Sequence, residues 1–103
     1  MSVIKNIKNS EALDVDFDAW KLMEVEDTDI IRINLHPGKI LAPHTNDKPV
    51  VFYILAGSGD LSIDGEIYNL KPKDSIFIEE NRMREWTVTS EVDLEILVVK
   101  YIN

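Results

Sequence analysis

His36 and His44 are the only imidazoles in this chain, and it has no cysteine. Thiolate nucleophiles, disulfides and Cys-ligated zinc are therefore excluded. An unperturbed imidazole titrates at about pH 6.5, which suits His44 to proton transfer or to a switchable hydrogen bond. Ser58 and Ser75 have no histidine at a useful spacing, so a nucleophilic triad has no support. Gly57-Ser58-Gly59 is not followed by a helical pattern and makes no phosphate loop. Tyr53 and Trp86 carry large flat faces that could stack on a planar or sugar ligand, and core packing is the competing use of both.

The elements that must hold these residues read as strands. Beyond about residue 20 the pattern is period-two alternation or short apolar runs, broken by turn signals, as in an all-β sandwich or barrel. The expected strands are 21–25, 30–36, 40–43, 50–56, 59–63, 66–70, 75–78, 85–89 and 94–102. Ile31, Ile33 and Leu35 alternate with polar residues, as on a half-buried strand. Residues 50–55 are apolar at every position, so both faces of that strand are expected to be covered, and 96–99 read the same way. Asp64-Gly65 supplies the positive φ values of a two-residue type I′ hairpin, which sets Leu61 opposite Tyr68. Residues 1–20 carry no amphipathic helical run and are expected to form an arm or an edge strand. The whole, 1–103, is one domain with the barrel in 21–103.

Residues 37–59 carry a recognisable spacing. Gly38 stands six positions before His44, and Gly57 closes the segment. Leu70-Lys71-Pro72-Lys73-Asp74 then opens a second apolar strand. Together these resemble the two motifs of the cupin superfamily, Gly-x5-His-x-His with a later Glu and Gly, and Leu-x-Pro-Gly-Asp with a later His. The resemblance implies an antiparallel β jelly-roll barrel (a double-stranded β-helix) with a pocket between two sheets.

It also implies where metal ligands would stand. His44 keeps its type, but the second His position holds Asn46, the Glu position holds Val50, and the last His position falls at Arg84. An amide, a valine and a guanidinium make a poor site for a divalent cation, so no metal and no cofactor are expected. An atypical set would need His36 and His44 with a carboxylate such as Asp47, Glu79 or Glu85. On the same register Arg84 points into a pocket with largely apolar walls, where a charge must find a carboxylate, reach the mouth or receive an anion. A slip of one residue would turn Arg82 or Glu85 inward instead.

The expected ligand-binding set is thus His44, Asn46, Arg84, Tyr53 and Trp86, around a small polar or anionic molecule. The alternatives are a metal-independent isomerase or epimerase with His44 as general base, and a metal-dependent dioxygenase-type enzyme with unusual ligands. The net charge of −8 argues against nucleic acid or an anionic membrane as partner. No apolar run approaches a membrane span, and the first residues lack a secretory signal's apolar core. A cytoplasmic homodimer is expected, since short barrels leave apolar faces to cover.

Overall fold

Burial alternates residue by residue along 50–54, 84–88 and 94–98 in the computed structural model, which describes residues 2–102; Met1, Asn103 and the side chain of His44 lie outside the described residues. A 3₁₀ turn, Ile7–Asn9, precedes ten strands: β1 (Glu11–Ala12), β2 (Asp18–Val25), β3 (Thr28–Leu35), β4 (Ile40–His44), β5 (Val50–Ala56), β6 (Gly59–Ile63), β7 (Glu66–Leu70), β8 (Ser75–Ile78), β9 (Arg84–Val88) and β10 (Leu94–Tyr101). They form two antiparallel sheets, ordered β1-β2-β3-β10-β5-β8 and β4-β9-β6-β7. This is the all-β antiparallel barrel expected from the strand pattern. No helix among the described residues is long and apolar enough to cross a membrane.

The core lies between the sheets. Val50, Phe52 and Ile54 enter it from β5, Leu94, Ile96 and Val98 from β10, and Trp86 and Val88 from β9. Successive side chains point to opposite faces, so each of these strands gives the core every second residue. Their neighbours face outward, and here one expectation fails. Tyr53 and Leu55 are 37% and 40% exposed, because nothing among the described residues forms a third layer over the outer face of β5. Val51, Leu97 and Val99 are half-buried on that sheet.

Two turns hold the barrel in register. Asp64 and Gly65 have φ of 50° and 88°, as the type I′ hairpin requires, and Leu61 lies opposite Tyr68. Asp64 also does more than turn the chain. Its carboxylate accepts from the Met83 N–H at 2.9 Å and from Arg82 Nε, and its own N–H donates to the Met83 carbonyl at 2.8 Å. That clasp fixes how the chain enters β9. At Gly57 φ is +75°, and a Cβ would sit 2.3 Å from the Asp93 carbonyl oxygen, so the close crossing of two backbones needs glycine there.

Of the two forms expected for residues 1–20, an arm or an edge strand, β1 is an edge strand. β1 pairs with β2 at the edge of the larger sheet, and β2 begins at Asp18. Leu13 donates its N–H to the Ala19 carbonyl at 2.9 Å, which folds 13–19 back against the barrel.

Candidate functional site: an interior cavity with an unpaired arginine

A cavity of about 240 Å³ opens between the sheets, walled by Ile31, Ile33, Phe52, Trp86, Ile96 and Val98 among others. Arg84 enters it from the first residue of β9. The inward alternation Arg84, Trp86, Val88 places it there, with Glu85 and Thr87 on the other face. The register therefore does not slip toward Glu85, and Arg82 is engaged with Asp64.

Arg84 is 4% exposed, the one charged residue buried among the described residues. Its Nε and Nη1 are buried without a hydrogen-bond partner among the described residues. Burial pushes the guanidinium below the ordinary arginine value, yet arginine stays protonated in proteins. An aromatic ring lies beside it: the guanidinium carbon stands 5.6 Å from the centre of the Phe52 ring. Phe52 in turn meets Trp86 with ring centres 5.6 Å apart at 59°.

β4 faces this point across an irregular pairing. Leu41 lies opposite Trp86 and His44 opposite Arg84, so three steps of β4 span two of β9. The bulge contains Pro43, which has no N–H to offer a ladder. The loop after it carries Asn46 to the cavity wall. Asn46 Oδ1 accepts from the Lys48 N–H at 3.1 Å, and its carbonyl accepts from the Asn81 N–H at 2.7 Å.

Of the residues expected at the site, Asn46, Arg84 and Trp86 line one cavity. Tyr53 does not join them, because its odd position on β5 turns it to the outer face. His44 lies outside the described residues in its side chain. His36 stands elsewhere, exposed beyond the end of β3, with Nδ1 3.1 Å from Asp93 and Nε2 3.4 Å from Asp18. The Asp93 hydrogen bond raises its pKa above the ordinary histidine value.

Two further parts of the chain line the cavity. Leu13, Val15, Phe17 and Ala19 line it from the N-terminal segment. The signal was present: these four alternate with Asp14, Asp16 and Asp18 in strict period two. Lys100 is the second, the next inward position on β10 after Ile96 and Val98.

A family model described as Cupin domain matches residues 31–100. The chain belongs to the cupin family. Among solved structures, this cupin resembles KdgF from a Halomonas species (15% identity, all of this chain and 96% of that one, TM-score 0.83). It is equally close to a predicted oxalate decarboxylase from Thermotoga maritima (19%, 98% and 100%, 0.84). The polyketide cyclase RemF from Streptomyces resistomycificus gives 18%, 100% and 81%, with a TM-score of 0.84. At such identities the likeness concerns the fold. A 5-nitrosalicylic acid 1,2-dioxygenase from Bradyrhizobium sp. is 28% identical over 65 residues, 63% of this cupin and 31% of that protein, so the chain matches about a third of its relative's length.

The metal that many cupins carry does not fit the residues described here. Of the positions that the motif resemblance assigns to ligands, one holds Arg84, with no carboxylate among the described residues lining its cavity, and another holds Val50. No group of three or more His, Asp or Glu able to hold an ion occurs among the described residues. The same arrangement suits the opposite charge.

Proposed function

We propose that this cupin binds a small organic anion inside its barrel without a metal ion. Arg84 supplies the charge, Asn46 a polar contact and Trp86 part of the wall. The observation that carries the reading is the pair of buried nitrogens on Arg84 that have no hydrogen-bond partner among the described residues. A buried charge left unpaired costs several kcal/mol in effective terms, whereas a carboxylate beside the guanidinium supplies the opposite charge and accepts a charge-assisted hydrogen bond.

A dioxygenase-type metalloenzyme is the second reading, favoured by the similarity to the 5-nitrosalicylic acid enzyme, whose named substrate is itself an organic acid. Metal analysis of protein purified without chelator separates the two: stoichiometric iron, manganese, nickel or zinc supports the second and overturns the first. For the anion itself, thermal unfolding is followed with sodium acetate, benzoate and phosphate. At least one salt is expected to raise the midpoint of the wild type and none that of Arg84→Met. Equal responses of the two proteins would overturn the proposal.

A further inference from the structure

The ionisable residues lining the cavity are Arg84 and Lys100, both cationic, in a chain with 19 acidic and 11 basic residues. Lys100 faces Asp29 across the β3–β10 ladder, yet the Asp29 carboxylate lies 3.2 Å from the Lys21 ammonium instead. Lys100 makes no ion pair among the described residues. The cavity therefore holds two positive groups, and neither is matched by a carboxylate in its lining.

The two cations share one end of the barrel. Lys100 pairs with Val50, the first residue of β5, and Tyr101 donates to the Pro49 carbonyl at 3.2 Å, which seats Lys100 beside the loop that carries Asn46. Arg84 stands opposite His44, the residue leading into that same loop. Away from this end the lining turns wholly apolar. Val98 and Phe52 come next, then Ile96 and Ile33, with Ala19 paired to Ile33 and bringing the 13–19 segment with it. From Lys100 to Ile96 is four residues of strand, or about 13 Å at the usual rise. The volume of about 240 Å³ equals that of roughly eight waters and lies below the range for drug-sized ligands.

From this polarity we infer that the ligand is a small hydrophobic monocarboxylic acid, with one ring or a short alkyl chain, bound head first. Its carboxylate lies between Arg84 and Lys100, and its apolar body runs along Phe52, Ile33 and Ile96 toward the 13–19 segment. This rests on the reading that the interior binds an anion. A second carboxylate or a run of hydroxyls on the body would be buried against side chains with nothing to pair it, which disfavours dicarboxylates and sugar acids. A phosphate ester is disfavoured by the absence of a backbone amide cradle, since no glycine-rich turn lines the cavity.

Titration calorimetry on the full chain tests this with benzoate, hexanoate, acetate, adipate, inorganic phosphate and benzyl alcohol. Benzoate or hexanoate is expected to bind at least ten-fold tighter than acetate, adipate, phosphate and benzyl alcohol. Lys100→Gln, on a half-buried side chain, is expected to weaken that binding several-fold and to reduce its salt dependence while the protein stays folded. If acetate, adipate or phosphate binds as well as benzoate and depends on Arg84, the anion reading stands and the hydrophobic-acid inference falls. An unchanged affinity in Lys100→Gln also overturns the inference. If no salt in the series binds the wild type, or benzyl alcohol binds as well as benzoate, both readings fall.

Discussion

The guanidinium of Arg84 lies over the Phe52 ring, 5.6 Å from its centre, in a cavity that no carboxylate lines among the described residues. A desolvated cation–π contact is worth about 2 kcal/mol or more, against the several kcal/mol that burying the charge costs. The contact therefore offsets the burial only in part, and the folded barrel retains a charge that an anion would relieve.

Asp64 ties the β6–β7 turn to the entry of β9, and the Arg82 hydrogen bond, followed by that of the Met83 N–H, holds its pKa below the ordinary aspartate value. A depressed carboxylate stabilises the fold above its unfolded pKa, and the contribution fades as pH falls through the lower folded value. Asp64→Asn should therefore lower the unfolding midpoint at pH 7 and flatten its dependence on pH below about 4. An unchanged acid profile would show that the clasp contributes nothing.

His36 provides the opposite sign. Asp93 raises its pKa, with a smaller push from Asp18, so its ion pairs are present below the unfolded value and lost as pH rises through the folded one. Imidazole titration by NMR should place His36 above about 6.5 in the wild type. Asp93→Asn should bring it down. A wild-type value at or below the ordinary one would contradict the geometry at the end of β3.

The exposed outer face of β5, with Tyr53, Leu55 and the neighbouring Phe77 of β8, is expected to be covered by a second copy in a homodimer. Light scattering at micromolar concentration should give twice the chain mass of 11.8 kDa. Leu55→Lys should return it to one. A wild-type monomer would reject this assembly.

Much of the barrel was legible because turn chemistry and alternation agree in its second half. The expected limits of β5, β6, β7 and β8 match the observed strands residue for residue. The position of Arg84 followed from counting along the second motif. Less was legible where two signals overlapped. Six consecutive apolar residues at 50–55 could not say which face lacked a partner, so the exposure of Tyr53 had no sequence signature. The alternation of Leu13, Val15 and Phe17 with aspartates was obscured by its high charge, which reads as a solvated arm until the larger sheet gives it a surface to cover. Lys100 ends a strand, where a lysine is ordinarily solvated, and only the register of β10 turns it inward.

The most direct test replaces Arg84 by methionine, which is of similar length and uncharged, and follows urea unfolding with no organic anion added. A charge without a partner is a burden on the empty barrel, so Arg84→Met should be more stable than the wild type by about 1 kcal/mol or more. It should also lose all stabilisation by benzoate. A variant that is equally or less stable in the absence of anion would mean that Arg84 is satisfied within the protein, and would contradict an anion site built around it.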